Sequence, residues 1–287
     1  MHYLELTIPI VLITIVSVIL SLWLNKKYNN VFDKYWLRIV IGIFFLTYFI
    51  ILRFSQNWKF LLEALNNNAM IPEWFKDKYP EDTITMFRSY TLSKSLFMDL
   101  CPFFSIALCV SMILDKTKRW AFLVSPFCIL GGLIVMPLIA TIEKDQYFTP
   151  KWVFVGTNEN RLYFLMHWFL IVFGSLAFVN FKNIVYKKDL LAIHIIALIF
   201  FAYVIFNAYV LNIDQNVTGV KIKDWYEGDY KGVRKLLNGK WHLPLWLTIT
   251  LTYMTAYGFV VGLFSARYYF VKNKILAKEQ PLKLQYS

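Results

Sequence analysis

Seven runs of apolar residues divide the chain, and polar, charged segments separate them. The runs lie at about Leu4–Leu24, Trp36–Phe54, Ser95–Leu114, Trp120–Ile142, Leu162–Phe181, Leu190–Ile213 and Leu243–Phe270. At about 1.5 Å of rise per helical residue, each is long enough to cross a hydrocarbon core of about 30 Å. The pattern predicts an all-α fold: a polytopic membrane helix bundle of seven transmembrane helices. No internal repeat is visible, and residues 1–287 read as a single transmembrane domain. Two polar separators are long, 55–94 and 214–241. In the first, Trp58, Leu61, Leu62 and Leu65 recur at the i, i+3, i+4, i+7 spacing of a helix face. That spacing fits a helix lying on the membrane surface or a lid packed over the bundle.

Composition agrees with the pattern. Of the 287 residues, 58% are hydrophobic and 19% aromatic, and mean hydropathy is +0.50. Only 17% are charged, against about a quarter in soluble proteins. The net charge of +12 would suggest nucleic acid in a soluble protein, but here it sits in short loops beside apolar runs and reads as topology. The first, third and fifth separators and the C-terminal tail carry fifteen Lys and Arg against four acids, Asp33, Asp115, Asp189 and Glu279. The other three separators are nearly balanced. The positive-inside rule therefore predicts an outside N-terminus, a cytoplasmic C-terminus and outer-face segments 55–94 and 214–241, in a multi-pass protein of the cell membrane. Lys26 and Lys27 follow the first apolar run instead of preceding it, which reads as an uncleaved anchor.

Polar residues inside apolar runs are costly, and so they mark candidate chemistry. Asp99 stands inside the third run, two residues before Cys101 and three before Pro102. Cys101 is six residues past Ser95, and His167 six past Arg161. With the predicted orientation, both lie about 9 Å below the outer surface. Arg53 closes the second run, Asp214 and Asn216 follow the sixth, and His242 precedes the seventh. All seven residues fall in the outer half. His194 is the polar exception in the inner half.

A thiol beside an imidazole is a competent nucleophile–base pair, and an Asp or Asn can orient the ring. At the depth of outer-leaflet ester linkages, such a pair can take an acyl chain and pass it on. Structural alternatives stand beside this. Cys109 and Cys128 read as packing residues. Asp99 and Arg53 can form a buried ion pair holding two helices together. Gly131 and Gly132 permit close helix approach. No metal cluster, nucleotide loop, disulfide framework or cofactor signature is present in the sequence.

The run LFMDLCPFFSIALCVSMILDKTKRW resembles the third span and basic loop of the YwaF-like bacterial membrane proteins. ILGGLIVM is similar to that family's glycine pair, RLYFLMHWFLIV to its fifth span with a single His, and NIDQNV to the Asp-x-Asn closing its sixth. That family looks related to cysteine-dependent lipid acyltransferases. The resemblance implies Cys101 as nucleophile, His167 as base, and Asp214 and Asn216 as the closing polar pair. Asp99 departs from the neutral polar residue or His expected there, and Trp168 from a small Gly.

Taken together, the residues and the resemblance lead to one expectation and two alternatives. The expectation is transfer or hydrolysis of phospholipid acyl chains at an outer-leaflet Cys–His site, with Arg53, Asp99 and His242 binding substrate. Membrane lipids are the expected partners; nucleic acid and nucleotides are not. The alternatives are a transporter of small solutes or lipids, and a scaffold or assembly factor without catalysis.

Overall fold

The computed structural model describes residues 2–67, 70–139, 147–157, 161–214, 217–228 and 230–284. Seven helices among them are long and apolar enough to cross a membrane. Among the described residues there is no strand, and one isolated antiparallel bridge joins Gly156 and Arg161. The helices are α1 (His2–Lys27), α2 (Tyr35–Phe49), α3 (Gln56–Asn66), α4 (Glu73–Lys78), α5 (Thr83–Ser95), α6 (Leu100–Leu114) and α7 (Arg119–Val135). They continue as α8 (Pro150–Phe154), α9 (Tyr163–Asn180), α10 (Tyr186–Val210), α11 (Ile222–Tyr226), α12 (Lys231–Arg234) and α13 (Leu245–Leu284).

The second and third spans depart from the plain runs read in the sequence. The second does not stop at Phe54. A π-helical turn, Ile50–Ser55, carries the chain from α2 straight into α3. One stripe explains the continuity: Arg53, Asn57, Leu61 and Ala64, spaced four, four and three apart, are all buried. Trp58, Leu62 and Leu65 point outward and are exposed. α3 packs on α5, so this segment is an extension of the span and not a detached surface helix.

The third span begins earlier, at Thr83, and is interrupted at Leu96–Asp99, where Phe97 adopts a left-handed φ of 53°. Pro102 supplies a physical reason. It has no N–H to give the carbonyl four residues back, Met98, and its ring clashes there. The freed acceptors find other donors: the Thr218 hydroxyl bonds Met98 O at 3.1 Å, and the Tyr203 hydroxyl bonds Leu96 O. Pro126 in α7 raises the same problem for Phe122 O, and Ser125 Oγ answers it at 2.6 Å.

α7 and α9 form the buried centre, flanked by α6, with α2 against α6 and α1 against α9. α1, α10 and α13 expose long apolar faces, including Ile19, Leu198, Phe206 and Met254. Such faces suit a lipid surround.

The basic end of the bundle is tightly stapled. Arg38 donates to Asp115 O at 2.8 Å and to Lys116 O at 3.1 Å. Arg119 pairs with the fully buried Asp189 at 2.5 Å, and Asp189 also accepts from Val185 N. Arg267 bonds the carbonyls of Phe178, Val179 and Phe181 at the end of α9. Arg38 and Arg267 therefore satisfy carbonyls that helix ends leave open, beyond any role in topology.

Candidate functional site

The opposite end, which carries the long connections 55–94 and 214–241, gathers most of the polar residues singled out from the sequence. Asp99 is the N-cap residue of α6, and Cys101 sits in that helix's first turn, at 8% exposure. Helix N-termini present partial positive charge. Arg53, only 4% exposed, lies within electrostatic reach of Asp99, Cys101, Tyr90 and Tyr163. Its Nη1 donates to Arg161 O at 3.3 Å.

His167, 2% exposed, stands on α9, and Arg53 is its charged neighbour. Its Nδ1 lies 2.5 Å from Tyr163 O. A carbonyl only accepts, so Nδ1 carries the proton and Nε2 keeps its lone pair. The Tyr163 ring packs edge-on against the imidazole at 4.9 Å between centroids.

Two adjacent glycines of α7 meet the Cys101 thiol and the backbone of His167. A Cβ added at Gly131 would lie 2.9 Å from Cys101 Sγ. One added at Gly132 would meet Ile171 Cγ1 and lie 3.3 Å from His167 O. The glycine pair thus lets α6 and α9 approach α7 at one level, the level of Cys101 and His167.

Other predicted residues sit elsewhere. Asp214 pairs with Lys221 at 2.7 Å, and its backbone N–H donates to Ser89 Oγ. The partner the structure gives the His167 ring is the Tyr163 carbonyl. His242 is exposed at the entry to α13, with φ at 54°. Asn216 lies outside the described residues. His194 contacts the Tyr257 hydroxyl between α10 and α13.

Sequence reasoning missed Asn57, Tyr90 and Lys94. Asn57 and Lys94 are buried at 3% and 7% exposure, and the Lys94 ammonium lies 4.0 Å from the Tyr90 ring centre. The signal for Asn57 was its place four residues after Arg53. Among the described residues, no His, Cys, Asp and Glu side chains cluster in a metal-ligating group. An open cleft of about 840 Å³, lined by Lys76, Asp77, Glu81 and Asp82 among others, includes none of the cluster residues.

Residues 9–287 match the family described as "Family of unknown function (DUF5378)". The chain belongs to that family. It is similar to "Uncharacterized protein MG135" of Mycoplasma genitalium, 36% identical over 154 residues, covering 52% of this chain and 54% of that protein. It is also similar to "Uncharacterized protein MG135 homolog" of Mycoplasma pneumoniae, 33% identical over 153 residues, covering 52% of this chain and 53% of that protein. The aligned part thus spans about half the length of these curated relatives. No solved structure matches the chain. These descriptions name neither YwaF-like proteins nor acyl transfer.

Proposed function

We propose that this DUF5378 protein acts on phospholipid acyl chains in the cell membrane, with Cys101 as nucleophile and His167 as general base. The supporting observation is that the helices carrying the two residues close on α7 at adjacent glycines, Cys101 Sγ against Gly131 and the backbone carbonyl of His167 beside Gly132, with Arg53 within electrostatic reach of both residues. In the reaction, Nε2 of His167 takes the thiol proton and Sγ attacks the ester carbonyl carbon. The ester C–O bond breaks, a thioester forms, and the departing lipid oxygen receives the proton from His167. A second alcohol, or water, then attacks the thioester. His167 takes its proton and returns it to the leaving sulfur. Tyr163 O holds the imidazole in the tautomer this requires. With the N-terminus outside, as the charge pattern predicts, the site lies on the outer-leaflet side of the bundle.

The test is acyl exchange between labelled phospholipid and acceptor in vesicles containing the protein. Cys101→Ser and His167→Gln should each lose about 100-fold or more in rate. Full activity in Cys101→Ser sinks the reading.

The interrupted third span and the π turn of the second favour a second reading, transport. Discontinuous helices pointing their termini at a substrate characterise many transporters, and α2 and α6 pack side by side. Vesicle uptake of a solute that survives Cys101→Ser would select it.

A further inference from the structure

Lys231, Arg234, Lys235 and Lys240 fall just before the last span, and no acid stands between residues 231 and 242. The charge bias that predicts the topology accounts for the lysines of the opposite end; it gives no reason for these four. They lie on one continuous helical stretch, α12 and the π-helical turn Lys235–Lys240 that follows it directly. Exposed pairs recur along it every four residues: Lys231 with Gly232, Lys235 with Leu236, and Gly239 with Lys240. Val233 and Leu237, between them, are half-buried. The three lysines therefore share one face. A Cβ added at Gly232 or Gly239 would meet nothing within 4 Å, so the space over that face is open. Among the described residues, no ion pair engages Lys231, Lys235 or Lys240.

The stretch is held in place on both sides. Arg234 Nε donates to the carbonyl of the fully buried Trp225 at 3.0 Å, and its guanidinium lies over the Tyr226 ring at 4.3 Å. Asn238 donates to Leu243 O at 2.6 Å, and the Leu243 N–H to Leu237 O at 3.1 Å. The last span begins at Leu245. The lysine face is thus fixed at the mouth of that span, the level at which lipid phosphates lie. Leu236, Trp241 and Trp246 are exposed at the same level.

Charge and apolarity together select the partner. Three unpaired ammonium groups call for anionic oxygens, and the apolar side chains beside them call for acyl chains. A membrane surface offers both. An acidic polymer in solution would answer the lysines and leave Leu236 and Trp241 uncovered.

We propose that the lysine face of residues 231–240 binds the headgroups of anionic phospholipids in the leaflet at that end of the bundle. This goes beyond the acyl-transfer reading and does not depend on it.

The experiment places a fluorophore on Gly239→Cys, which maleimide should label selectively because the native cysteines are buried. The full chain is reconstituted in phosphatidylcholine vesicles. Phosphatidylglycerol or phosphatidylcholine, each brominated near the headgroup end of one acyl chain, then replaces part of the lipid as quencher. At equal mole fraction, the brominated phosphatidylglycerol should quench with an apparent affinity about fivefold or more above that of the phosphatidylcholine. Adding Lys231→Gln, Lys235→Gln and Lys240→Gln should bring the two lipids to parity while the melting temperature in detergent holds, since these side chains are exposed. Equal quenching by both lipids in the unsubstituted face overturns the proposal, as does a preference that survives the triple substitution. Absence of quenching by either lipid turns the face toward water; it also overturns the proposal and selects an acidic partner in solution.

Discussion

Cys101 and Gly131 meet across the contact of α6 and α7, so close that a Cβ added to Gly131 would lie 2.9 Å from Cys101 Sγ. The sulfur occupies the space that a missing side chain leaves. Gly131→Ala must therefore displace the thiol or part the helices, at about 1–3 kcal/mol. Combining it with Cys101→Ala should recover most of that loss. A double-mutant cycle on thermal unfolding in detergent measures the coupling, and strict additivity would deny the contact.

Gly132→Ala should do more damage than Gly131→Ala. Its new methyl group meets Ile171 Cγ1 and the His167 carbonyl, and the carbonyl is backbone, which gives way least. Ile171→Ala added to it should restore only part of the stability. Equal melting temperatures for the two single variants would contradict this ordering.

The interruption before Asp99 is held by donors from outside its own span. Tyr203→Phe and Thr218→Val each remove one of them, from Leu96 O and Met98 O. Each should cost about 1 kcal/mol. Hydrogen exchange should accelerate locally around residues 96–99, with little change in α7. Uniform acceleration through the bundle would instead show that these bonds support global stability.

At the basic end, Asp189→Ala removes a fully buried carboxylate that serves both Arg119 and Val185 N. Because the Arg119 side chain is 29% exposed, water takes up part of the loss, and the cost should be about 2–3 kcal/mol. Urea or thermal unfolding in detergent checks it; a change under about 0.5 kcal/mol would place the pair among ordinary surface ion pairs.

Charge predicts the orientation. All three native cysteines are buried, so a cysteine introduced at Glu81 or at Lys187 is the one that reagents should reach. A membrane-impermeant maleimide added to intact cells should label Glu81→Cys and spare Lys187→Cys until the membrane is opened. The reverse pattern would invert the topology.

The span count was legible because a run of about twenty apolar residues has only one comfortable surround. The interruption in the third span was not. Hydropathy summed over Ser95–Leu114 cannot see that Pro102 frees Met98 O, nor that a hydroxyl more than a hundred residues away, on Thr218, accepts the task. The continuation of the second span to Asn66 was hidden for a similar reason: Arg53, Ser55, Gln56 and Asn57 lower hydropathy while the backbone keeps turning. Depth arithmetic placed Cys101, His167, Asp99 and Arg53 at one end, and the structure brings Arg53 near the other three. Depth alone says nothing about azimuth. Asp214, close in height by that arithmetic, turns to Lys221, seven residues further along its own connection. The orienting group of His167 was invisible in any side-chain pattern because it is a backbone carbonyl, that of Tyr163.

The most direct measurement is the mass of the intact protein after incubation in vesicles of phospholipid bearing one isotopically labelled acyl chain. The predicted result is a labelled acyl adduct on Cys101, released by neutral hydroxylamine as a thioester is, and missing from Cys101→Ser. A protein that stays unmodified at Cys101 while lipid acyl chains exchange at the natural rate would contradict the proposed role of that thiol.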